Sequence, residues 1–328
     1  MKIDEIDIKI LSAMRDDCRM TYKEISKTTG SNINTVAARI KRLERDKFIL
    51  GYSAHIDYDR IGFGTSAIVR IMLDKPASMN QEGLQDIISM PETVLAYGMT
   101  GPYAFNIILR TRDFDDLVGK VEMIGKNTHV SDIIPELVFK EYMAIEEFNP
   151  LRKGPVPSAN FRKRTKRLDD LDFGILREIR NNANRPLREI SAKLGSPIST
   201  IKERIDKMAA EGVIKKFVAE IDFSKLGYWG FVAVSIKLEN NRVNDEIVVS
   251  EILKLPETVA LMRVLGPYDL HAGVLLKDVN QISEILKKMY SIDGVMKTES
   301  TMAISVFKNR SQFNPLSDFR MKHEKPGK

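Results

Sequence analysis

The sequence predicts an α+β fold in which one two-domain unit is written twice. Segments return at a fixed offset of 165 residues: Pro91-Glu92-Thr93-Val94 as Pro256-Glu257-Thr258-Val259, Gly101-Pro102-Tyr103 as Gly266-Pro267-Tyr268, and Phe148-Asn149-Pro150-Leu151 as Phe313-Asn314-Pro315-Leu316. Each copy opens with three helical patterns and then alternates strands and helices in the order β-α-β-β-α-β. Solenoid periods run about 20–50 residues, so a repeat this long reads as a duplicated subunit and the chain as a covalent pseudo-dimer.

In the first copy, Ile3, Ile6, Ile10 and Met14 recur every three or four residues and share one helical face. Tyr22 to Thr29 forms a second short helix, stopped by Gly30, a residue suited to the left-handed cap. Ser31-Asn32 supplies turn and N-cap chemistry. A third helix follows, with Val36, Ile40 and Leu43 inward and Thr35, Arg39 and Arg42 outward. Phe48 to Tyr52 and Ala54 to Asp57 read as a small extended ribbon. The second copy repeats the plan with Leu171, Ile175 and Ile179, then Pro186 near a helix start, Gly195 at its end, and Ile201, Ile205 and Met208 inward. Helix, helix, glycine turn, helix and ribbon make a winged helix-turn-helix.

The remainder of the first copy reads as strand Ser66–Leu73, helix Gln81–Met90, strands Thr93–Met99 and Phe105–Thr111, a helix capped by Asp113, and strand Ile133–Ile145. That order is the ferredoxin-like layout. The second copy gives Phe231–Leu238, Asp245–Leu255, Val259–Leu265, Leu270–Leu276, Asn280–Ser291 and Lys297–Val306. The expected fold class is therefore two winged helix-turn-helix domains alternating with two ferredoxin-like βαββαβ domains. Expected boundaries are 1–62 and 63–150 for the first pair, 151–167 for a basic linker, 168–227 and 228–316 for the second pair, and 317–328 for a polar tail.

Composition narrows the function. The net charge is +6, and residues 151–167 alone carry seven Lys and Arg with no acid, so the placement of charge points to nucleic acid more than the total does. Cys18 is the only cysteine, which excludes an intrachain disulfide and a multi-cysteine zinc site and fits a reducing cytoplasm. His55, His129, His271 and His323 show no ligand spacing, so neither a metal nor a cofactor is expected. No apolar run of about 18 residues could span a membrane.

The ordered set of residues resembles the Lrp/AsnC (feast/famine) family of transcription regulators, in tandem duplicate. In the second copy it is carried by Leu168-Asp169-Asp170-Leu171-Asp172, Arg188-Glu189-Ile190-Ser191, Gly195, Thr200, Arg204, Gly212-Val213-Ile214 and Gly266-Pro267-Tyr268-Asp269. The first copy has Ile3-Asp4-Glu5-Ile6-Asp7, Glu24-Ile25-Ser26, Thr35, Arg39 and Gly101-Pro102-Tyr103. The resemblance implies a cytoplasmic, nucleoid-associated, sequence-specific regulator of double-stranded DNA that is not an enzyme. It also implies an amino acid or other small metabolite as effector, ferredoxin-like (RAM) domains that pair through their sheets, and self-association of pseudo-dimers.

Candidate DNA contacts are Ser31, Asn34, Thr35, Arg39 and Arg42 in the first reader, and Ser196, Ser199, Thr200, Lys202, Arg204 and Lys207 in the second. Glu203 stands where the first reader has Ala38, and an acid there suits only a cytosine amino group. Carried over by position, the effector contacts are Gly266, Tyr268, Asp269, Thr298 and Ser300. The first copy has Ala104, Ile133 and Pro135 where the second has Asp269, Thr298 and Ser300, so one family-like pocket per chain is expected. Two alternatives stay open. A siroheme-decarboxylase-like enzyme shares the two-domain plan but needs basic and histidine side chains to hold an acidic tetrapyrrole, and the turn Gly101 to Asn106 has none. An architectural DNA-binding protein would need no effector.

Overall fold

The computed structural model describes residues 3–74, 81–144, 168–180, 182–228, 230–239 and 245–308. The expected basic linker 151–167, the tail 317–328 and the Phe148–Leu151 repeat lie outside the described residues. Each copy opens with three helices: α1 (Glu5–Asp16), α2 (Tyr22–Thr29) and α3 (Ile33–Arg45) in the first, α6 (Asp170–Arg180), α7 (Leu187–Leu194) and α8 (Ile198–Ala210) in the second. Gly30 and Gly195 end α2 and α7 at φ 71° and 63°, the left-handed region where a side chain is costly.

The start of the first helix is built identically in both copies. Asp4 accepts from the backbone of Asp7 at 3.0 Å, and Asp7 accepts from that of Asp4 at 3.1 Å. Asp169 and Asp172 do the same at 3.0 and 3.1 Å. Two backbone N–H groups at each helix start are thereby satisfied reciprocally.

The expected ribbon is corrected. Each copy supplies one strand, β1 (Ile49–Ile56) or β6 (Ile214–Ile221), and the two pair with each other, antiparallel, to make a two-stranded sheet across the copies. One hydrophobic core runs through both helical units and includes Ile10, Ile25 and Ile40 together with Ile175, Ile190 and Ile205. The lone thiol, Cys18, lies in this core and is pushed up to about 12 by burial and by the neighbouring Asp17.

The rest of the first copy runs β2 (Thr65–Leu73), α4 (Gln81–Ser89), β3 (Thr93–Met99), β4 (Phe105–Thr111), α5 (Phe114–Gly125) and β5 (Val130–Met143). The second runs β7 (Gly230–Leu238), α9 (Asp245–Leu253), β8 (Thr258–Leu265), β9 (Leu270–Leu276), α10 (Gln281–Tyr290) and β10 (Val295–Lys308). The expectation of two separate ferredoxin-like units is corrected. The element order is present in each copy, but β5 pairs with β8 and β10 pairs with β3. The eight strands therefore close into one barrel, in the order β10-β3-β4-β2-β5-β8-β9-β7. The reason is that β3 and β5 are edge strands in a four-stranded sheet, and each leaves a row of unpaired backbone groups until the other copy covers it.

Alternation along the strands separates two surfaces. Ala67, Val69 and Ile71 pack with Leu84, Leu117 and other residues on the helix side. Ile68 and Ile108 point the other way and meet Met262 and Val264 of the second copy inside the barrel.

Beneath the β1–β6 ladder, Glu220 accepts a hydrogen bond from the Ser53 hydroxyl, lies 3.3 Å from His55 Nε2 and 3.4 Å from Arg15 Nη1, whose side chain is 3% exposed. Burial alone would raise the Glu220 carboxyl, but the His55 hydrogen bond and the Arg15 charge hold it at about 2. A depressed carboxyl stabilises the fold above its ordinary value of 4.5 and loses that contribution as pH falls toward 2. Thermal melts followed by circular dichroism should show wild-type stability falling through this window. Glu220→Gln should melt lower at pH 7 and show a flatter fall; parallel curves for the two proteins would refute the linkage.

Candidate functional site

Two regions collect polar chemistry: the starts of α3 and α8, and the barrel interior. At the first, Asn32 caps α3 by accepting from Thr35 N at 2.8 Å. Ser26, Asn32, Asn34, Thr35 and Ala38 line an open concave face there with Ile33. Ser31 is half-buried and its carbonyl accepts from the Ser26 hydroxyl. The second copy has the same bond, from Ser191 to the Ser196 carbonyl at 2.7 Å. Its α8 starts after Pro197 without a side-chain cap, with Ser199 exposed and Thr200 half-buried. Lys202 and Lys207 are exposed, as is Glu203.

The arginines turn another way. Arg39 Nη1 donates to Asp4 at 2.6 Å and to Asp7 at 2.9 Å, and Arg42 Nη2 donates to Asp7 at 2.6 and 2.5 Å. Arg204 Nη1 repeats this with Asp169 at 2.6 Å and Asp172 at 3.1 Å. The hydrogen bond from Arg39 and that from the Asp7 backbone hold the Asp4 carboxyl down at about 2. These pairs fasten α3 and α8 to the start of the first helix of their own copies. The aspartates were missed as partners, although their three-residue spacing at a helix start is a capping signal legible in the sequence.

In the barrel the structure brings together residues that the two copies do not share. Glu136 is fully buried, with Oε2 2.9 Å from His271 Nε2 and 3.1 Å from Arg70 Nε. The other ring nitrogen, Nδ1, lies 3.0 Å from the Ser235 hydroxyl. Burial alone would raise the Glu136 carboxyl; the His271 hydrogen bond and the Arg70 charge hold it below its ordinary value. The Arg70 guanidinium carbon sits 5.4 Å from the ring centroids of both Tyr103 and Tyr268. By the repeat offset, Ser235, His271 and Thr301 occupy the positions of Arg70, Asn106 and Glu136, so this network occurs once per chain. Arg70, Asn106 and Glu136 were not singled out from sequence. Their signal is a polar residue at an inward position of an otherwise apolar strand.

The expected effector residues lie beside this network. Tyr268 is 7% exposed, and its hydroxyl donates to Glu299. Asp269 accepts from Leu238 N at 2.9 Å and pairs with Lys237 at 3.2 Å, so it braces its own turn. Gly266 is packed so closely that a Cβ there would lie 2.7 Å from Glu136 Cγ. Glu299 and Thr301 line the interior cleft; by strand alternation Thr298 and Ser300 face the opposite side of the sheet.

Comparison with known proteins follows this geometry. A family model described as winged helix-turn-helix DNA-binding matches residues 3–49 and 168–215, and one described as the Lrp/AsnC ligand binding domain matches 231–313. An uncharacterized HTH-type transcriptional regulator of Pyrococcus abyssi is 37% identical over 142 residues, covering 43% of this chain and 89% of that protein. The chain belongs to the Lrp/AsnC family. The HTH-type transcriptional regulator FL11 of Pyrococcus horikoshii is 34% identical over 145 residues, covering 44% of this chain and 95% of FL11. One copy here thus corresponds to nearly a whole family member. Along the full length, the crystal structure of the siroheme decarboxylase NirDL is similar, with a TM-score of 0.65 at 14% identity and 93% of each chain covered. At that identity the likeness is one of fold. Among the described residues no group of three or more His, Cys, Asp or Glu is arranged to hold a metal ion. No helix among them is long and apolar enough to cross a membrane.

Arg39→Ala should leave the buried Asp7 with Arg42 and the Asp4 backbone N–H as partners and loosen α3 from α1. A loss of about 1.5–3 kcal/mol is expected in urea unfolding, the range for hydrogen bonds to charged groups. Unchanged stability would mean that the arginine is free for DNA.

Proposed function

We propose that the chain is a sequence-specific, DNA-binding transcription regulator of the Lrp/AsnC type that carries both halves of a family dimer in one polypeptide. The observation that supports this most is the joining of two helix-turn-helix units through β1–β6 and one core, in a chain whose two helix-turn-helix segments both match the DNA-binding family model. Paired readers suit a DNA site of two half-sites related by a pseudo-two-fold. On this reading Ser31, Asn34, Thr35, Ser196, Ser199, Thr200, Lys202 and Lys207 contact the DNA. Arg39, Arg42 and Arg204 would contribute through the guanidinium N–H groups that the aspartates leave free, or by exchanging a carboxylate for a phosphate.

The two readers differ where they are exposed. Ala38 and Lys41 of the first correspond to Glu203 and Asp206 of the second. The half-sites are therefore expected to differ, with cytosine favoured opposite Glu203. A small effector would act on the barrel, biasing the readers only in so far as it binds two barrel states unequally.

Selection of bound DNA from a random pool, repeated at two salt concentrations, tests the reading. A motif with two unlike half-sites is expected, and Lys207→Ala should lower the slope of log affinity against log salt by about one. Salt-sensitive binding without an enriched motif would mean an architectural protein instead.

A second reading is favoured by the full-length likeness to the siroheme decarboxylase, together with Arg70 and His271 in the interior cleft. Two facts weigh against it. Arg70 is already paired with Glu136, and the cleft holds about 60 Å³, against about 300–1,000 Å³ for pockets that take drug-sized ligands. A shift in the siroheme absorption spectrum on adding the protein would reverse that judgement.

A further inference from the structure

Between residues 3–49 and their mates 165 positions on, six apolar residues are identical: Ile10, Leu11, Ile25, Ile33, Ile40 and Ile49. Five of the six belong to the core in both copies, each at most 3% exposed. The sixth is left outside in both, Ile33 at 46% exposure and its mate Ile198 at 49%. A single apolar residue on a surface needs no explanation. Here the same residue is exposed at the same place in both copies, although its neighbours change from Asn32 and Asn34 to Pro197 and Ser199.

Neither helix formation nor packing accounts for that pairing. Ile33 and Ile198 are the first residues of α3 and α8. A β-branched side chain gives a helix no advantage there. The first start is capped by the Asn32 side chain and the second follows Pro197 without a side-chain cap, so the two isoleucines serve no common cap. In the first copy Ile33 shares an open concave face with Ser26, Asn32, Asn34, Thr35 and Ala38, none of them charged.

In a helix-turn-helix the N-terminal residues of the reading helix are the ones that approach base edges. Isoleucine can offer such an edge no hydrogen bond. The apolar group that the major groove presents is the C5-methyl of thymine, and an apolar side chain is its natural contact.

We infer that Ile33 and Ile198 each read one thymine by packing on its C5-methyl group. The inference rests on the regulator reading and adds a rule to it. The two half-sites differ where the readers differ, at Ala38 and Lys41 against Glu203 and Asp206, but share a thymine at the same distance from the pseudo-two-fold.

The full-length protein should be titrated against duplexes of the sequence enriched from the random pool, with each thymine replaced singly by deoxyuridine, which lacks only that methyl. Binding about fourfold weaker is expected at one position in each half-site, the effect of losing one buried methyl-sized group. Ile33→Ala should erase the difference between thymine and uracil in one half-site and keep it in the other. Ile198→Ala should do the reverse, and both variants should melt as the wild type does. Three results would overturn the inference: uracil tolerated at every thymine; uracil sensitivity that both variants leave unchanged; or tighter binding of 5-methylcytosine than of thymine at these positions, which would assign the contact to methylated cytosine. A pool that yields no motif would overturn the regulator reading itself, and the inference with it.

Discussion

The structure depends on how the edge strands of one copy are satisfied. A four-stranded sheet with helices on one face leaves two outer strands with unpaired N–H and C=O groups, and an exposed apolar edge invites association. Here each edge meets the other copy: β5 pairs with β8, and β3 with β10. The helix-turn-helix strands follow the same logic, since among the described residues β1 and β6 pair only with each other. Everything specific to this chain, including the shared core, the enclosed interior and the fixed relation of the two readers, follows from those three ladders.

Joining the copies covalently changes what the interior can hold. In a dimer of identical chains every interior residue occurs twice, and the barrel would have to bury two Glu136 carboxylates. Duplication removes that constraint. At the corresponding positions of the second copy stand Ser235 for Arg70, His271 for Asn106 and Thr301 for Glu136, and a single Arg70–Glu136–His271 network is formed. Burying these charges is tolerable because they are paired with one another; any one alone would face a desolvation cost of several kcal/mol. The readers have diverged in the same way, one with Ala38 and Lys41, the other with Glu203 and Asp206.

Fastening of α3 and α8 shows that an outward polar pattern can have a partner within the protein. Arg39, Arg42 and Arg204 lie on outward helical positions, and helical periodicity alone cannot distinguish an arginine facing DNA from one facing a neighbouring helix. The structure gives them to Asp4, Asp7, Asp169 and Asp172. Likewise Asp269, which by resemblance belongs to an effector site, braces the backbone of Leu238.

The sequence by itself determined the local elements and their duplication. Apolar periods of 3.6 and 2, the glycines that end α2 and α7, and the constant offset are properties of short segments or of identity between them. They require no knowledge of distant contacts. Only the tertiary structure decided that the two sheets are one barrel, that the ribbons pair across copies, and that Arg70, Asn106, Glu136 and His271 share an interior. Backbone hydrogen bonds between edge strands carry no side-chain signature. A partner 165 residues away, as His55 is from Glu220, leaves no mark on either local pattern.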